Sequence, residues 1–162
     1  MKKIYSLLTS LIFVILVSCT NNMDHQDDLI NDSILKSRAE IREVIKSIVK
    51  DAETANIEGL ENAHLMSEKF SKFGPRSFDR QNVKNTNESE AAFFGSVSNF
   101  KQEARDLKID VFDDIAIATY YPHISFVQDG VEKKGSGRQT LVFLKTKNGW
   151  KIIHEHGTQR PS

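Results

Sequence analysis

Gly149-Trp150-Lys151-Ile152-Ile153-His154-Glu155-His156-Gly157-Thr158, close to the C-terminal end, decides how the rest of the chain is read. The stretch is rich in β-branched and aromatic residues. Asn148-Gly149 in front of it tolerates the positive φ that a tight hairpin requires, so it reads as the second arm of a β-hairpin. On a regular strand alternate side chains share a face. Trp150, Ile152, His154, His156 and Thr158 then fall on one side, with Lys151 and Glu155 on the other. Lysine and glutamate prefer water, so the two histidines are expected to face the interior. The hairpin register stays open. A two-residue turn opposes Phe143 to His154 and Leu141 to His156, whereas one extra bulged residue opposes Thr140 to His156 and Arg138 to Thr158. Arg138 is accordingly either an interior donor to a carboxylate or carbonyl, or a solvated strand end.

Upstream, Leu107 to Phe112, Ile115 to Val127 and Gly137 to Thr146 have the same strand character as Trp150 to Thr158. Asp113-Asp114, Asp129-Gly130 and Asn148-Gly149 mark the turns between them. Before residue 106 the pattern is helical. Ile34, Ile41, Ile45, Ile48, Ala52 and Ala55 recur near one helix face, with Ser37 and Glu40 spaced as a capping box or Ser33 capping an earlier start. A second helix is expected over Ile57 to Met66 with Asn56 as its cap. A short strand over Glu68 to Phe73 is stopped by Gly74-Pro75, and Arg76 to Thr86 reads as a loop. A third helix is expected over Asn87 to Ala104, with Phe93, Val97, Phe100 and Ala104 on one face. Helices followed by strands predict an α+β domain, its N-terminal helices packed on one face of an antiparallel sheet.

The order helix, helix, short strand, helix and four long strands resembles the nuclear transport factor 2-like fold. The motif of turn glycine, Trp150, two aliphatics, His154-x-His156 and Thr158 resembles the last strand of SnoaL-like proteins. It is also similar to the end of the calcium/calmodulin-dependent protein kinase II association domain, and Thr140 to Lys145 fits the strand before it. The resemblance implies a cone: a curled sheet closed by helices around a pocket, with dimerisation through the open sheet face. In the kinase domain the pocket carries arginines. Two of those positions fall here on Leu141 and Gly157, which speaks against an anion held in that way.

The fold hosts isomerases, cyclases, dehydratases, carriers and oligomerisation modules, so function has to come from the site. His154 and His156 suit acid/base work or ligand hydrogen bonding near neutral pH, or are structural histidines with satisfied partners. His-x-His is half a metal site, and beyond His123 no third ligand stands at diagnostic spacing, so no metal is expected. Tyr120 and Tyr121 are adjacent, so one should be interior, where its hydroxyl needs a partner. The expected ligand contacts are His154, His156, Trp150, Tyr120 and Arg138, with His154, His156 and Tyr120 the candidates for catalysis. Asp110, Asp113 and Asp114 sit at strand ends or turns, none clearly on the histidine face. No phosphate-binding glycine motif, nucleophile elbow or zinc-protease helix motif is present, and no cofactor is expected.

The N-terminus reads as an export signal. Lys2 and Lys3 precede an uncharged apolar run from Ile4 to Val17, shorter than the ~20 residues of a spanning helix. Leu16-Val17-Ser18-Cys19 resembles the bacterial lipobox, whose cysteine is acylated and becomes the mature N-terminus. Residues 1–18 are thus expected to be a lipoprotein signal peptide, 19–33 a polar flexible tether, and 34–160 the domain. Cys19 is the one cysteine in the chain, which excludes an intramolecular disulfide. Lys plus Arg equals Asp plus Glu at 22 each, so no basic excess attracts nucleic acid. The expected location is the bacterial cell envelope, facing the periplasm or the surface, with membrane lipid joined through Cys19. The leading expectation is a lipid-anchored domain binding a small, mostly apolar molecule in a conical pocket. The alternatives are a small isomerase, cyclase or dehydratase with a histidine base, and a dimerisation or interaction module of the envelope.

Overall fold

The computed structural model describes residues 32–75 and 77–160. The expected signal peptide, Cys19 and nearly all of the tether lie outside the described residues. The elements run α1 (Asp32–Glu53), α2 (Ile57–Ala63), β1 (Ser71–Phe73), α3 (Val83–Ser96), β2 (Ser98–Phe112), β3 (Ile115–Gln128), β4 (Val131–Thr146) and β5 (Gly149–Gln159). The strands form one sheet in the order β1-β5-β4-β3-β2. β1 joins β5 in parallel and the other neighbours are antiparallel. The sheet is therefore mixed, where an antiparallel one was expected.

Each helix follows from local sequence. α1 turns Ile41, Ile45 and Ala52 inward, all buried, as its 3.6-residue periodicity predicts. It already runs from Asp32, so Ser37 sits buried inside the helix and caps nothing. Asn56 caps α2 by accepting from the Gly59 amide. Asn82 caps α3 by accepting from the Asn85 amide at 2.9 Å, so that helix starts before Asn87 and ends at Ser96. The expected helix over Asn87 to Ala104 is thus half strand. Phe93, Val97, Phe100 and Ala104 fit a helical period, but Phe100, Gln102 and Ala104 also fit a period of two, and pairing with β3 decides in favour of the strand.

Irregularities in β2 and β5 set how the sheet curls. β2 shifts register between Ser98 and Lys101 and again between Arg105 and Lys108, where Asn99 and Asp106 take positive φ. In the final hairpin Thr146 pairs with Gly149 across Lys147-Asn148, and Gly149 takes φ +90°, open to glycine. Phe143 pairs with Ile152, but Val142 pairs with His154, leaving Ile153 as an extra bulged residue.

The core lies between α1 and the inner sheet face. Phe143, Ile152, Trp150, Leu141, Ala116, Ala118, Ile109 and Val111 pack there with Ile41, Ile45 and Phe70. Phe100 and Phe126 form a second cluster with Ala52 and Leu60, joined by Phe93 and Phe94 from α3. Their rings meet mostly edge to face at 5.1 to 6.1 Å, a favoured aromatic geometry.

Candidate functional site

The Ile153 bulge inverts the expected phase of the last strand. Trp150 and Ile152 point inward as predicted. Beyond the bulge it is Glu155 and Gly157 that are buried, while His156 is exposed and His154 half-buried. The expectation that both histidines face the interior is therefore corrected. The observed pairs are Thr140 with His156 and Arg138 with Thr158, the register of the bulged alternative, with the bulge inside the strand and not in the turn.

Glu155 enters the core because charged partners meet it there. Its Oε1 accepts from His64 Nε2 at 2.8 Å, and its Oε2 lies 2.8 Å from Lys72 Nζ. Lys72 also reaches Glu90 Oε1 at 2.5 Å. The other ring nitrogen of His64 donates to Asn87 Oδ1 at 2.8 Å. Two oxygens facing two ring nitrogens fit a doubly protonated imidazole. Burial works against that charge, but the hydrogen bond and charge of Glu155, with Glu90 and Asn87, outweigh it and hold His64 above its ordinary value. Burial likewise opposes ionisation of Glu155, yet Lys72 and His64 hold it low. Lys72 is raised by Glu155 and Glu90 against its own desolvation. The result is two cations and two anions joining the end of α2, β1, α3 and β5. His64, Glu90 and Glu155 offer ligand atoms within 4.8 Å of one another, but the Lys72 ammonium already bonds both carboxylates.

Tyr120 also faces the interior. Burial and the Glu155 charge push its hydroxyl up, against a Gln102 hydrogen bond and Lys72. Trp150 is buried, donates from Nε1 to Glu40 at 3.0 Å and lies 5.4 Å beneath Lys145 Nζ. Leu141 and Gly157 are interior too. A Cβ on Gly157 would come within 2.7 Å of Gln139 Oε1 and 3.4 Å of Pro75 Cδ, so the chain itself fills that position.

The outer sheet face gathers the remaining expected residues. Thr119, Tyr121, Arg138 and His156 are exposed there. His154 Nδ1 is hydrogen-bonded to Ser71 Oγ at 2.8 Å, and Phe73 lies edge-on to both His154 and His156. Of the five expected ligand contacts, His154, His156 and Arg138 share this face, while the side chains of Tyr120 and Trp150 point away from it. A cleft of about 500 Å³ opens here, its lining including Asp106, Lys108, Thr119, Tyr121, Arg138 and Thr140. Sequence reasoning missed the His64-Glu155-Lys72-Glu90 network. Its members are up to 91 positions apart, and each taken alone reads as a surface residue.

Three helices on a curled, bulged sheet with a short parallel edge strand form the nuclear transport factor 2-like fold. The SnoaL-like domain model matches residues 41–159, and the chain belongs to that family. A nuclear transport factor 2-like protein of Salmonella enterica superposes with TM-score 0.71 at 22% identity, over 78% of this chain and 93% of that one. A Xanthomonas campestris protein, provisionally described as a calcium/calmodulin-dependent protein kinase II association domain, superposes with TM-score 0.66 at 15% identity, over 76% and 87%. A nuclear transport factor 2-like protein of Cytophaga hutchinsonii gives 0.63 at 15% identity, over 76% and 98%. At these identities the likeness is one of fold. No curated protein matches the chain. Among the described residues no helix is long and apolar enough to cross a membrane.

Proposed function

We propose that the chain is an exported lipoprotein, anchored through acylated Cys19, whose SnoaL-like domain binds a small molecule bearing a carboxylate or carbonyl on the outer sheet face. The carrying observation is the convergence of Arg138, Tyr121, Thr119 and Thr140 on a cleft of about 500 Å³, a size suited to small ligands. Arg138 has no ion-pair partner among the described residues and would take a carboxylate or carbonyl. The Tyr121 ring supplies an apolar wall beside it. The interior offers less, since its charged groups engage one another and its phenylalanines pack together.

Binding is favoured over catalysis by the histidines' neighbours. A histidine base requires an orienting carboxylate or tyrosine, whereas His154 is bonded to a serine and the His64-Glu155 pair is sealed in the core. Native mass spectrometry of the full chain, purified in mild detergent from its own host, tests the ligand. A bound small molecule in the wild type that is lost in Arg138→Gln is expected. Retention in Arg138→Gln with loss in Tyr120→Phe would move the site to the interior. Mass analysis of the N-terminal peptide tests the anchor, which requires a lipid-modified Cys19.

A second reading is self-association through the same face, favoured by the exposed Phe73, Phe112 and Tyr121. Sedimentation of wild type against Tyr121→Glu separates it from ligand binding: a dimer that becomes monomeric in the variant supports it.

A further inference from the structure

We propose that a second cleft, on the outer face of β2, β3 and β4, is an anion site for a small molecule bearing a phosphate or carboxylate group. The sheet register builds it from two cross-strand rows. Lys101, Ser125 and Lys134 stand in one, and Glu103, His123 and Ser136 in the next. These rows line an open cleft of about 630 Å³, together with Gln102, Ile124, Gln159 and Arg160, and the Arg160 backbone amide is tied to Ser136 O at 2.9 Å.

The donors there are in place and uncommitted. His123, Ser125 and Ser136 are half-buried and line the cleft, and among the described residues their side chains have no hydrogen-bond partner, so they are free to meet a ligand. Arg160 has no ion-pair partner among the described residues. Lys101 and Lys134 have only long pairs, with the half-buried Glu53 at 3.5 Å and the exposed Glu132 at 3.3 Å, and such solvent-facing lysine pairs contribute little. The one carboxylate of the cleft, Glu103, is turned to Arg105 at 2.7 Å. Cationic and hydroxyl donors therefore outnumber acceptors in a chain whose formal net charge is zero. An oxyanion supplies the missing acceptors, and the volume leaves room for an organic body beyond the anionic group.

Such a group can come from a soluble metabolite or a lipid headgroup, and the test separates them. The full chain in mild detergent is titrated calorimetrically with glycerol 3-phosphate. In parallel it is presented to nanodiscs of phosphatidylglycerol or of phosphatidylcholine. The expected result is saturable binding to glycerol 3-phosphate, or preference for phosphatidylglycerol, weakened at least 10-fold in Lys134→Gln/Arg160→Gln. Lys134→Arg should retain binding, and Lys147→Gln, exposed in the last hairpin turn away from both clefts, should leave it unchanged. Both substituted residues are exposed, so an unchanged melting temperature verifies the fold. Absence of binding to both probes, or equal affinity in the double variant, would overturn the proposal.

Discussion

Glu155 Oε1 stands 2.8 Å from Nε2 of His64, a residue 91 positions earlier in the chain, and this bond holds the last strand with its glutamate inward. The pair belongs to a neutral set of four charges, so the cost of one partner's loss falls on those that remain. Removing one side of a buried pair leaves an uncompensated charge, typically at about 3–5 kcal/mol. Glu155→Ala is therefore expected to lower the urea-unfolding free energy by about that much. His156→Ala, one position along on the exposed side, should stay within about 0.5 kcal/mol. Equal effects of the two substitutions would contradict the assigned faces.

The same network sets how stability depends on pH. His64 is raised above its ordinary 6.5, so its contribution is complete below that value and is lost as pH rises through the folded-state value. Glu155 is lowered from 4.5, so its contribution is complete above that value and is lost as pH falls towards the folded-state value. Between these limits the quartet contributes fully. Thermal melting against pH should fall on both sides of this window, and His64→Asn should flatten the alkaline decline relative to wild type. An alkaline limb identical in the variant would exclude His64 as its source.

α1, α2 and the strands β3 to β5 were legible because their apolar spacing is strong, whereas the start of α3 and the first half of β2 were not. Ile41 and Ile45 recur at helical intervals, and Trp150 and Ile152 alternate as a half-buried strand requires. The phase beyond Ile152 was not legible. Ile152 and Ile153 are both aliphatic, and nothing in their chemistry marks the second as a bulge. Lys72, Glu90, His64 and Glu155 gave no signal, because each favours water until a partner from another element meets it. Arg138 was read as an open choice between interior and solvent, and the hairpin register placed it outside.

Trp150, the chain's one tryptophan, reports on the core side of β5. It is 4% exposed and hydrogen-bonded to Glu40. Its fluorescence is expected to be that of a buried indole, resistant to iodide quenching and unchanged by a ligand on the outer face. Strong quenching in the folded protein would place Trp150 on an open surface.

Phe143 is fully buried at the centre of the core. Phe143→Ala should destabilise the domain by about 3–5 kcal/mol through lost transfer energy and the cavity left behind, measured by denaturant unfolding. A loss below about 1 kcal/mol would mean that the inner face is not packed as described.

The most direct measurement of the central claim, that β5 turns its glutamate in and its histidines out, is histidine modification by diethyl pyrocarbonate, mapped by peptide mass spectrometry on the folded full chain. His156 should be modified rapidly and His64 only on unfolding. Protection of His156 together with early modification of His64 would contradict the account, since the strand would then lie in the opposite phase.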